Sequence, residues 1–172
     1  NLFPELLVQL VQVGTTEGKW SAVAALEQIA QMPEAEKQVA CIEALLSVGV
    51  VFQWSRAMMV ARTITDERSR AKALRALAPH LPAALLPEAL SAARTITGER
   101  DRAEVLAALA PHLPAEILPE YLDAARTIIS EQYRTEVLVA LVPHLPMALL
   151  SEVLSTACTI VEKRYLAEVI DA

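Results

Sequence analysis

The chain has 172 residues, long enough for one ordinary domain, and with 54% hydrophobic but only 4% aromatic residues its core must be built from Leu, Ala, Val and Ile. A formal net charge of −6 opposes the phosphate neutralisation on which nucleic-acid binding depends, although a local basic stripe is compatible with it. Gly is scarce at 4 residues, while Ala and Leu, the best helix formers, are abundant, which points to an all-α fold.

In chain order, apolar periodicity and breakers predict about eleven helices. They fall at 3–13, 17–31, 34–47, 51–64, 66–78, 83–96, 98–110, 115–128, 130–142, 147–160 and 162–171. The mean hydropathy of +0.36 raises the question of a membrane span. The long uncharged runs, Ala44 to Ser55 and Val137 to Ser151, fall short of the roughly 18–20 apolar residues that a spanning helix requires. Asn1-Leu2-Phe3-Pro4 lacks the basic stretch and apolar run of a signal peptide. Cys41 and Cys158, without a CxxC or a disulfide framework, read as buried free thiols of a cytoplasmic protein.

The dominant signal is an internal repeat. Pro-His-Leu-Pro occurs at Pro79–Pro82, Pro111–Pro114 and Pro143–Pro146, and Ala-Arg-Thr-Ile at Ala61–Ile64, Ala93–Ile96 and Ala125–Ile128, both at intervals of 32. Residues 61–92 and 93–124 share 23 identities in 32 positions, and 93–124 and 125–156 share 18. Upstream, Val39 to Leu45 aligns at the same offset, and Trp20-Ser21 and Trp54-Ser55 mark an older, diverged pair. The expected organisation is a single α-solenoid domain over 1–172. Residues 1–56 are diverged repeats, 57–156 regular repeats and 157–172 a truncated half repeat, so that the chain reads as a piece of a longer solenoid.

Within a module, Thr65 or Asp66 is placed to N-cap the first helix, with Thr97 and Ser130 near the equivalent starts. Ala71, Leu74, Leu77 and Ala78 form its apolar face, and Arg68, Lys72 and Arg75 occupy other faces. Pro-His-Leu-Pro is a turn. The second helix starts at Pro82 or at Pro87, and Leu86, Leu90, Ala93 and Ile96 pack inward. Two such helices cannot bury their stripes alone, whereas stacked αα-hairpins share a continuous core.

Ala76 to Pro82, Leu85 to Leu90 and Ala93 to Ile96 carry a family likeness. The module resembles the tetratricopeptide and HEAT-like class of right-handed α-solenoids. More specifically, it is similar to helical repeats appended to bacterial signalling proteins of the NACHT and NB-ARC class, over about residues 57–172. The resemblance implies a sensor or scaffold segment.

The three histidines, His80, His112 and His144, are in register, but stacked modules put equivalents roughly 8–10 Å apart, too far to share a metal. They read as turn residues. Arg62, Arg94 and Arg126 form one ladder and Arg70, Arg102 and Arg134 another. Glu67, Glu99 and Glu131 stand three positions before the latter, at ion-pair spacing. Structural ion pairs are one reading; a basic groove for an acidic peptide or anionic ligand, drawing on Arg70, Arg102, Arg134, Lys72 and Arg75, is the other. Glu88, Glu120 and Glu152 suit helix N-termini. Trp20, Phe52, Trp54 and Met58-Met59 are either core or a contact hot spot.

No catalytic motif, cofactor fingerprint or metal-ligand spacing stands in the chain, so the expectation is a non-enzyme without cofactor. The expected function is a scaffold or ligand-sensing repeat domain. Its partner is a protein or peptide, or another domain of the same parent chain, with end-to-end self-association of the fragment and no nucleic acid or membrane. The alternative is an intramolecular arm of a multidomain signal-transduction NTPase.

Overall fold

A computed structural model describes residues 6, 9, 22–47, 53–145, 150–157, 169 and 170. Among them there is no strand, and nine α-helices are present. These are α1 (Ala22–Ala30), α2 (Ala35–Ser47), α3 (Trp54–Thr63), α4 (Glu67–Leu77), α5 (Leu86–Arg94), α6 (Glu99–Leu109), α7 (Leu118–Arg126), α8 (Glu131–Leu141) and α9 (Leu150–Ala157). The helices expected at 3–13 and 162–171 lie outside the described residues apart from Leu6, Gln9, Val169 and Ile170, as do Trp20, Phe52 and Cys158. No helix among the described residues is long and apolar enough to cross a membrane.

The helices form two alternating sets. One set begins at 22, 54, 86, 118 and 150 and the other at 35, 67, 99 and 131, so starts within a set are 32 residues apart. The chain divides into two compact units, residues 1–81 and 82–172. In the first unit α1 packs on α2 and α3, α2 on α4, and α3 on α4. In the second, α5 packs on α6, α6 on α7 and α8, α7 on α8, and α9 on both α7 and α8. Within each unit most of these contacts join hairpin partners or the like-facing helices of successive pairs. Leu74, Leu77, Leu106, Leu109, Leu138 and Leu141 are buried on the facing stripes, each contributing about 1.5–3 kcal/mol on burial.

The proline turns have a two-step geometry. Ala78–His80, Ala110–His112 and Val142–His144 are single 3-10 turns that prolong α4, α6 and α8. Leu81 and Leu113 then turn extended, and the amides of Leu85 and Ile117 bond back to the carbonyls of Pro82 and Pro114. This makes second 3-10 turns at Ala83–Leu85 and Ala115–Ile117. The expected helices 83–96 and 115–128 are therefore broken elements: the α-helix begins at Leu86 or Leu118, with Pro87 and Pro119 in its first turn, where a missing N–H costs nothing. At the N-termini, Asp66 caps α4 by accepting from the Ser69 amide at 2.8 Å. Ser130 stands at the cap position of α8, but its side chain makes no capping bond.

Tyr121 departs from the alanine seam. Positions 25, 57 and 89 are buried alanines, and the fourth residue in that register is a fully buried tyrosine. Its hydroxyl lies 3.1 Å from the Leu106 carbonyl on α6 and 3.3 Å from the Val137 carbonyl on α8. Having one hydrogen, it donates to one oxygen at a time and ties the two helices together. Burial pushes the phenol well above its ordinary value of 10.0. Tyr121→Phe is expected to cost about 1 kcal/mol in urea unfolding at neutral pH. Because the folded-state value is raised, the tyrosine's contribution holds below about pH 10 and is lost as pH rises further. The wild type should lose alkaline stability more steeply than the Phe variant. Parallel alkaline profiles would contradict the burial account.

Candidate interaction surface

The Ala-Arg-Thr-Ile motif is a helix terminator with each residue in a distinct role. Ala61, Ala93 and Ala125 are buried, and the hydroxyls of Thr63, Thr95 and Thr127 donate to the carbonyls of Val60, Ala92 and Ala124, at 2.8, 2.7 and 2.7 Å. Ile64, Ile96 and Ile128 then bury their side chains in the linker. In the second unit Arg94 and Arg126 reach outward to the like-facing helix of the next pair. Arg94 on α5 donates to the Glu120 carbonyl on α7 and pairs with the Glu120 carboxylate at 3.7 Å. Arg126 on α7 donates to the Thr156 hydroxyl on α9 at 3.1 Å and to Asp123 at 3.0 Å.

The second ladder satisfies the linker backbone. Arg70, Arg102 and Arg134 each donate from Nη1 to the carbonyl six residues back, that of Ile64, Ile96 and Ile128, at 3.0, 3.1 and 3.0 Å. Arg70 and Arg102 retain only 15% and 12% side-chain exposure, so their charge is spent inside the fold. Gln38, which sequence reading passed over, stands at the same register one module earlier. Its amide donates to the Met32 carbonyl six residues back at 2.9 Å and to the Ile29 carbonyl at 3.1 Å. The 32-residue offset alone points to it.

Glu99 and Arg102 also join one helix pair to the next. Arg102 Nη2 donates to the Thr127 carbonyl at 3.3 Å, and the Glu99 carboxylate accepts from the amides of Ile129 and Ser130 at 2.8 and 3.0 Å. The Glu99–Arg102 pair expected from the spacing is present but long, 3.9 Å. The two linker amides, Ile129 first, hold the Glu99 carboxyl below its ordinary range. A carboxylate from the preceding pair thus occupies the linker amides just before α8, where the Ser130 side chain makes no cap.

The remaining candidates separate by exposure. His80, His112 and His144 are exposed at the turns, and His80 stacks on Trp54 with ring centroids 6.1 Å apart. Trp54 is half-buried; positions 86 and 118 of its register hold leucines. Met58 is buried and Met59 is 54% exposed, so that pair splits between core and surface. Glu88 is half-buried and Glu120 exposed in the first turns of α5 and α7. Cys41 is buried, which raises its thiol. Among the described residues no group of three His, Cys, Asp or Glu side chains is arranged to hold a metal ion.

Lys72 and Arg75 are exposed on α4, together with Arg68 one turn before them. Their registers carry Glu104 and Ala107 on α6 and Glu136 and Val139 on α8, so these two cations do not extend as ladders. No protein-family model, curated protein or solved structure matches the chain. Glu99→Gln is expected to cost about 1 kcal/mol at pH 7 by urea unfolding. Since the folded carboxyl is depressed, its contribution is present above the ordinary carboxylate value and lost as pH falls through the lowered one. The wild type and variant should therefore converge in acid, and a difference that stays constant to about pH 2 would contradict the assignment.

Proposed function

We propose that this chain is a non-catalytic protein-interaction module, a right-handed α-solenoid of helix pairs repeating every 32 residues, of the scaffold or ligand-sensing kind. The observation that carries this reading is the division of labour between repeated and varied positions. Repeated polar residues (Thr63, Thr95 and Thr127; Arg70, Arg102 and Arg134) are engaged with backbone carbonyls of the chain itself. Other positions change charge between modules, as at exposed Lys72, half-buried Glu104 and exposed Glu136. A repeat scaffold with a conserved frame and a variable surface is suited to holding an extended partner. Its cellular setting would be cytoplasmic, with partners that are proteins or peptides, or other domains of a parent chain. Immobilised chain should retain a discrete protein from an extract of the source organism, or a flanking segment of the parent chain, and the urea-unfolded chain should not. Retention of nothing by the folded chain would overturn the reading.

A further inference from the structure

We propose that the α1–α2 pair is a loosely fastened leaf, a conformational device that opens from α3–α4 while the helices of the second unit stay folded. The proposal goes beyond the binding-module reading and does not depend on it. Its basis is a polar strap that the repeat supplies at one joint and omits at another. In the second unit the strap runs from α6 to the linker ahead of α8. The Glu99 carboxylate accepts from the Ile129 and Ser130 amides at 2.8 and 3.0 Å, and Arg102 Nη2 donates to the Thr127 carbonyl at 3.3 Å. Two repeats earlier the same register pairs α2 with the linker ahead of α4. Residue 35 takes the place of Glu99, 38 that of Arg102, and 63, 65 and 66 those of Thr127, Ile129 and Ser130.

Neither half of the strap can form there. Ala35 has no carboxylate to offer the amides of Thr65 and Asp66, and both of those residues are exposed. Gln38 has two amide hydrogens, and both are spent on its own linker, at the Ile29 carbonyl at 3.1 Å and the Met32 carbonyl at 2.9 Å. Arginine brings five N–H donors, so Arg102 holds Ile96 with Nη1 and still reaches Thr127 with Nη2. Apolar packing does not distinguish the two joints: Leu26, Ile29, Ile42 and Leu45 of the first are as buried as Leu106, Leu109, Leu138 and Leu141 of the second. The first joint has instead an ion pair from α1 to α3, Glu27 with Arg56 at 2.6 Å, whose side chains are 60% and 42% exposed and which adds little in water. Where neighbouring repeats are coupled pair by pair, the array opens at its weakest joint.

Native-state hydrogen exchange of the full chain, read by mass spectrometry at about pH 7, tests this directly. Relative to their intrinsic rates, amides of residues 22–47 should exchange at least about tenfold faster than those of residues 99–141, with a shallower urea dependence than global unfolding. The double variant Ala35→Glu/Gln38→Arg installs the strap and should slow exchange in 22–47 at least about fivefold, leaving 99–141 within about twofold. The reciprocal Glu99→Ala/Arg102→Gln keeps a donor for Ile96 and removes the strap, so exchange in 99–141 should quicken at least about fivefold. Equal protection of the two segments in the wild type would overturn the proposal. So would a helical Ala35→Glu/Gln38→Arg variant whose residues 22–47 exchange as before, since their looseness would then owe nothing to the strap. If that variant loses helical circular dichroism, the reciprocal pair decides: faster exchange or loss of helix there upholds the proposal, and exchange within about twofold of the wild type overturns it.

Discussion

Among the described residues, α1, α3, α5 and α7 each end in a short linker, and a carbonyl of that linker is satisfied by a side chain from the helix that follows. At Ile64, Ile96 and Ile128 the donor is an arginine six residues on, and at Met32 it is Gln38. A buried or half-buried backbone acceptor left without a partner costs on the order of 1–3 kcal/mol, so the donor at this register governs how the two helices flanking each linker meet. The requirement is for a long side chain carrying an N–H, not for charge. Gln38 meets it with a neutral amide.

The same linker collects the other repeated residues. Threonine hydroxyls turn back on the helix end, the isoleucine is buried beneath the turn, and in the second unit Glu99 reaches across to the amides ahead of α8. Residues 63 to 70 and their equivalents therefore form a compact joint in which backbone ends, apolar burial and charge-assisted bonds support one another. Variation is tolerated outside it. Tyr121 in an alanine seam shows that the frame accepts a large side chain where its hydroxyl finds backbone acceptors.

Much of this was legible in the sequence, for identifiable reasons. The apolar spacing of Ala71, Leu74 and Leu77 marks a helix face, and prolines at 79 and 82 mark its end; the structure has both. Whether the second helix begins at Pro82 or Pro87 was not legible, because a 3-10 turn and an α-turn make similar local demands on sequence. The glutamate–arginine spacing suggested an intrahelical pair. The stronger contacts of Glu99 run to linker amides 30 and 31 residues away, a tertiary relation that no local pattern encodes. Arg70, Arg102 and Arg134 left two readings open, structural pairing and a binding groove, because a ladder of cations and a ladder of backbone clamps read alike in one dimension. The low exposure of Arg70 and Arg102 and the bonds of all three to linker carbonyls favour the clamp.

The direct measurement of the joint is urea unfolding of Arg102→Met, which keeps the apolar stem and removes the donors to Ile96 and Thr127. A loss of about 1.5–3 kcal/mol with native helical content retained is the result expected of a structural clamp. Unchanged stability would contradict the account and return Arg102 to the list of residues available to a partner.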